Sequence, residues 1–86
     1  MMARTMSLAE MPAGCDGTVC KLTGGQNFVR RIEAMGIRLG IKLRKTSSQY
    51  LRGPVTVRTG NLQIALGFGM ASKVVVEVEG GGQSSA

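Results

Sequence analysis

A single helical stripe within residues 23–43, TGGQNFVRRIEAMGIRLGIKL, constrains this chain more than any other feature. Phe28, Ile32 and Met35 recur at i, i+4 and i+7 with Val29 beside them, the spacing of one apolar helix face. Arg30, Arg31 and Glu33 take the opposite face. Gly24-Gly25 opens the segment and Asn27 offers an N-cap side chain. Gly36 follows the last apolar position, where a left-handed residue ends a helix. A helix over residues 26–35 would be roughly 15 Å long, and about ten residues is too few for stability alone in water. The stripe therefore requires a sheet to pack on.

The remaining chain supplies short strands. Residues 18–22 (TVCKL) read as the first substantial strand, and Ser7-Leu8-Ala9-Glu10 as a short strand or edge segment. Pro12-Ala13-Gly14 and Asp16-Gly17 are turn signals. After Gly36, residues 37–40 return the chain to the sheet, and Ile41-Lys42-Leu43-Arg44-Lys45 alternates apolar and charged with the period of a half-buried strand. Residues 46–53 form a polar loop holding Tyr50 and Leu51. Pro54 then opens a strand in which Val55 and Val57 face one way, Thr56 and Arg58 the other. Gly60-Asn61 joins it to the next strand through a two-residue turn of type II′. That strand turns Leu62, Ile64 and Leu66 inward; Gly67 to Ser72 is a tight connection with room for one helical turn. The last strand, residues 73–79, turns Val74, Val76 and Val78 inward and Glu77 and Glu79 outward. Five to six strands with one helix after the first long one suggest a small, strongly bent antiparallel barrel whose closure hides its edges.

Eighty-six residues allow one domain, placed at residues 7–79 between a leader at 1–6, expected to be disordered, and a flexible Gly/Ser tail at 80–86. Phe28, Tyr50 and Phe68 are the only aromatics, so the core must be aliphatic. The longest strong apolar run, Val74-Val75-Val76, is far short of the ~20 residues of a spanning helix. With no secretory segment either, a cytoplasmic location without membrane insertion is expected.

Catalysis is not expected. There is no histidine, and Glu77 and Glu79, which share one strand face, read as solvated surface rather than a carboxylate pair. No Ser, Cys or Lys has an evident base partner. Cys15 and Cys20 would lie about 16 Å apart in one strand, beyond disulfide reach, and two thiols are half a zinc site. They are expected to be small buried hydrophobes, with a metal site completed by a second chain as an open alternative. Gly24-Gly25 lacks the Gly-Lys-Ser/Thr continuation of a P-loop, and Gly67-Phe68-Gly69 lacks the third glycine of a dinucleotide fingerprint. No cofactor is expected. Eleven Lys and Arg against five acids give a net charge of +6, which favours acidic partners. Arg30, Arg31, Lys42 and Arg44, with Arg38, Arg52 and Arg58, could follow a phosphate backbone, but single-strand binders stack bases on aromatic rings and few are present. A solvated or protein-docking face is the favoured reading.

Taken together, SLAEMPAGCDGTVCKLTGG, the helix ending RRIEAMGI, LGIKLRK, GPVTVRTGNLQIALG and KVVVEV resemble the FeoA family of bacterial ferrous iron uptake, over residues 7–79. The stretch from Arg30 to Ile37 is the most specific piece. Leu39 stands where the family typically has Pro, and Phe68-Gly69-Met70 replaces a more charged connection. The same module is similar to the C-terminal part of some iron-dependent repressors. The resemblance implies an SH3-like barrel without catalytic residues. It implies that the chain binds the cytosolic portion of a FeoB-type membrane transporter, is recruited by it to the inner face of the membrane, and modulates its GTPase-linked iron transport. Arg30, Arg31, Arg38, Arg58, Tyr50 and Leu51 are the candidate contacts. A basic barrel that binds nucleic acid is the alternative, and weak self-association is left open.

Overall fold

The computed structural model describes residues 3–46 and 53–79. Its elements are β1 (Ala3–Ser7), β2 (Asp16–Leu22), α1 (Gln26–Ala34), β3 (Lys42–Lys45), β4 (Val55–Thr59), β5 (Leu62–Leu66), α2 (Phe68–Ala71) and β6 (Val74–Glu79). The strands make one six-stranded sheet in the order β1-β6-β2-β3-β4-β5, and every neighbouring pair is antiparallel. This is the mainly-β, SH3-like architecture the resemblance implies. Val74 and Val76 from near one end of the sheet share a single core with Ile64 and Leu66 from the other, so the sheet curls around that core. Among the described residues β1 and β5 are the two ends of the strand order, so the expected closure that hides both edges is not seen there.

Local rules account for most elements. Val55, Val57, Ile64, Leu66, Val74 and Val76 are all buried, as alternation demands. Leu62 is the exception, 49% exposed at the start of β5, because the hairpin lifts it clear of the core. Gly60 has φ +59, as a left-handed first turn position requires, and Thr59 and Leu62 are partners across the turn.

The helix runs Gln26–Ala34, one residue short of expectation. Its N-cap is Gly25 rather than Asn27, with no side-chain hydrogen bond, and Met35 is the C-cap. Gly24 lacks a side chain because the Phe28 ring occupies the space a Cβ would need, and Lys73 Nζ lies 5.5 Å from the centroid of that ring. Ile32 is the helix's fully buried residue; Phe28, Val29 and Met35 are half-buried. Gly36 has φ +104, and a Cβ there would lie 3.0 Å from Leu62 Cδ2. Gly36→Ala should therefore cost about 1–3 kcal/mol in urea melts, from backbone strain and the forced shift of Leu62. Gly25→Ser, which supplies the oxygen the N-cap lacks, should move stability the other way by a few tenths of a kcal/mol.

Four expectations are corrected. From Ala3 onward the expected leader is a strand: β1 pairs with β6 over five positions, from Ala3 against Glu79 to Ser7 against Val75. Residues 8–10 are a turn, not a strand. Ser7 and Glu10 hold it reciprocally, Glu10 N donating to Ser7 Oγ (3.2 Å) and Ser7 N to Glu10 Oε1 (3.5 Å), which drops Leu8 and Met11 into the core. Asp16-Gly17 begins β2 instead of turning. Gly17 is needed for close approach, since a Cβ would lie 3.0 Å from Met11 Sδ and 3.1 Å from Val76 Cβ. Of the two cysteines, Cys15 is half-buried against the core, whereas Cys20 is exposed rather than buried. Cys20 is the extra residue of a bulge: Val19 pairs with Val76 and Lys21 with Val75. The bulge restores inward phase, burying Val19 and half-burying Leu22 on the same side.

Candidate docking surface

Register brings charges together that lie far apart in sequence. Asp16 of β2 pairs with Arg44 of β3, and Arg44 pairs with Arg58 of β4. The row continues to Gln63 of β5. One step along, Lys42 pairs with Thr18. All these side chains except half-buried Thr18 are exposed, so β2, β3 and β4 carry a cationic outer face above the apolar core. Asp16, Lys42, Leu43, Arg44, Arg58 and Gly60 line a shallow hollow of about 220 Å³.

Within it Arg44 grips Asp16 with both arms of its fork, Nε donating to Oδ1 at 2.7 Å and Nη2 to Oδ2 at 3.3 Å. Hydrogen bonding from Arg44 holds the Asp16 carboxyl below its ordinary value, and raises the guanidinium's own. Both side chains are about half exposed, so solvent screens the pair and it adds little to stability. Its larger effect is directional: it draws Arg44 toward β2 and away from Arg58, the like charge directly opposite. Lys42 is near enough to Asp16 to help hold its carboxyl down, and Arg58 makes no salt bridge among the described residues.

The proposed contacts are not gathered in one place. Arg30 and Arg31 are exposed on the solvent side of α1, Arg38 is exposed in the loop that follows, and Arg58 lies on the outer sheet face. Tyr50 and Leu51 lie outside the described residues. Leu39, at 60% exposure, adds an apolar group beside Arg38.

One side chain escaped the sequence reading. Lys45 is 3% exposed, and its Nζ donates 2.9 Å to the carbonyl of Ala9. Burial lowers its proton affinity. Backbone bonds Gly14 N to Lys45 O (2.7 Å) and Lys45 N to Cys15 O (3.1 Å) tie the same strand end to the loop after β1. The signal was available, since Ile41, Leu43 and Lys45 share a parity and therefore a face.

Among the described residues no group of three or more His, Cys, Asp or Glu could hold a metal ion, and no helix is long and apolar enough to cross a membrane. The surface can attract acidic groups and present backbone and apolar edges to a partner.

Comparison with known proteins agrees with this architecture. A crystal structure described as the iron uptake regulatory protein FeoA superposes with a TM-score of 0.82 at 29% identity, covering 88% of this chain and 100% of that one. A manganese-dependent transcriptional repressor superposes at 0.80 and 21% identity over 92% of this chain but 44% of its own, a likeness of fold alone. A relative from Methanocaldococcus jannaschii, named as an Fe(2+) transport protein A, is 37% identical over 78 residues, 90% of this chain and 93% of that protein. A model of the FeoA domain matches residues 6–78. On that match and that identity, the chain belongs to the FeoA family of ferrous iron transport accessory proteins.

Proposed function

We propose that this chain is a non-enzymatic docking module that binds the cytosolic portion of a FeoB-type membrane transporter and modulates its GTPase-linked ferrous iron transport. The observation that carries the reading is family membership joined to a surface of exposed cations, of which Arg44 alone makes a salt bridge among the described residues. Arg30, Arg31, Arg38 and Arg58 are the contacts assigned to an acidic partner face, and Tyr50 and Leu51 complete the assignment from sequence. Charge complementarity of this kind sets association rate and orientation more than final affinity. A cytoplasmic protein recruited to the membrane by its partner fits this role.

Nucleic-acid binding would draw on the same cations. Phe28 and Phe68 pack against the core, which leaves no fully exposed ring among the described residues for bases to stack on. The docking reading is therefore preferred.

Binding of the purified chain to the full transporter in lipid nanodiscs tests it. Wild type should bind, and the Arg30→Glu/Arg31→Glu and Arg58→Glu variants should bind at least about tenfold more weakly at low salt. Unchanged affinity in both variants would reject the surface. A wild-type chain that ignores the transporter, but binds single-stranded RNA with a salt slope of about −0.7 per phosphate contact, would move the function to nucleic acid.

A further inference from the structure

The two edges of the sheet are unlike. β1 carries the exposed Arg4, and a charge on an edge discourages further pairing. β5 reads Leu62-Gln63-Ile64-Ala65-Leu66, with no charge, no proline and no bulge in its register against β4. Its pairing leaves a definite set of backbone groups unused. Thr59 and Leu62 flank a two-residue turn, so they are a hydrogen-bonded pair, and alternation makes Val57–Ile64 and Val55–Leu66 the others. Thr56 accordingly points the other way, and its carbonyl accepts from Thr46 N on the β3 side (2.9 Å). Ala65 opposite Thr56, and Gln63 opposite Arg58, therefore turn N–H and C=O outward from the sheet. Neither makes a backbone hydrogen bond elsewhere in the described structure.

We propose that β5 is a strand-acceptor edge for an extended acidic segment of a partner protein, which pairs with Gln63 and Ala65 and sets its carboxylates against Arg58. Main-chain pairing would supply affinity and side chains specificity. Adjacent strands lie about 4.8 Å apart, so an added strand runs roughly 10 Å from β4. A long guanidinium side chain projecting from β4 and a carboxylate projecting from the added strand can meet over exposed Gln63 between them. Arg58, which makes no salt bridge among the described residues because Asp16 is taken up by Arg44, is the charge placed to do so. Exposed Leu62 offers an apolar contact at the start of the same edge. Charge selects this occupant over a second copy: two chains at +6 each repel, and a β5–β5 pairing would bring both Arg58 side chains to one seam. The inference rests on the docking reading only for who the partner is. Its test uses no transporter, so the two can fail separately.

The probe is a capped peptide, TVEVEVEVT, titrated into the isotopically labelled full chain, with TVKVKVKVT as its control. The expected result is protection from exchange and shifted resonances at the Gln63 and Ala65 amides, with the lysine peptide at least tenfold weaker. Ala65→Pro removes an outward donor without touching the β4 ladder and should weaken binding at least tenfold. Arg58→Glu should weaken it at least fivefold and reverse the preference between peptides. Circular dichroism and amide spectra of both variants must match the parent; if Ala65→Pro disturbs the fold, the charge preference of Arg58→Glu decides. Absence of binding at millimolar peptide, or binding that leaves those two amides unaffected, would overturn the proposal. So would protection of the same amides without peptide, whether concentration-dependent, meaning a second copy, or independent of concentration, meaning a segment of the chain itself.

Discussion

Ile32→Ala should be among the most damaging truncations in this domain, lowering stability by about 2–5 kcal/mol in a urea melt. Ile32 is the one fully buried residue of α1, and its side chain joins the helix to the core. Beyond the half-buried Phe28, Val29 and Met35, the helix has little else to hold it. It is nine residues long, has no side-chain N-cap and no acid in its first turn, and only Arg31 favours its C-terminal dipole. Domains of this size sit near the low end of the usual 5–15 kcal/mol, so the loss is a large fraction of the total. Removing the anchor should release α1 before the sheet melts, seen as early loss of exchange protection in α1 with the β6–β2 ladder intact. Arg31→Ala, which touches only solvent and the dipole, should change stability by about 0.5 kcal/mol or less. A loss below that for Ile32→Ala would mean the helix is held elsewhere.

Lys45 gives the second large effect, and its sign depends on the replacement. Burial lowers the ammonium's proton affinity from an ordinary value of 10.5, so the unfolded chain holds the proton more tightly than the folded one. The penalty is present in full at neutral pH and is relieved as pH rises through the folded value toward 10.5. Stability from this group therefore increases with pH over that alkaline window. Lys45→Met keeps the buried stem, removes the charge, and should flatten that rise relative to wild type while costing about 1 kcal/mol or less at pH 7. Lys45→Glu should cost roughly 3 kcal/mol or more at pH 7, because a carboxylate would face the Ala9 carbonyl in a site without a cation. Part of that loss should return near pH 4, where the protonated acid can donate to the same oxygen. Thermal melts of the three proteins from pH 4 to 10 give all three comparisons. A Lys45→Met protein with the wild-type alkaline rise would locate that rise in another group.

Much of this was legible in sequence, and particular residues show why. Val55, Val57, Ile64, Leu66, Val74 and Val76 announce their side of the sheet through the period of two, a property of contiguous residues. Ile32 follows the helical period in the same way, and Gly36 and Gly60 mark backbone conformations other residues resist. The stretch RRIEAMGI, with the segments around it, was sufficient to suggest the family that comparison then established. Where local reading failed, a nonlocal contact had overridden it. Residues 3–6 have a leader's composition yet find a partner in β6 at the far end of the chain. Gly17 looks like a turn glycine but serves the approach of Met11 and Val76. Lys45 looks like a surface lysine until the loop after β1 closes over it.

The candidate surface divides along the same line. That Arg30, Arg31 and Arg58 point to solvent follows from helix and strand phase alone. That Asp16 occupies Arg44, and that Arg58 is left without an acid among the described residues, follow from pairings between residues 14 to 28 apart; that β5 lies at the end of the strand order follows from the sheet as a whole. The periods, the glycine turns, the aliphatic core and the excess of positive charge can be read along the chain, because each resides in neighbouring residues or in composition. Which charges neutralise one another, and which strands end the sheet among the described residues, emerge on folding, because strand pairing is a choice among distant partners that no local pattern encodes.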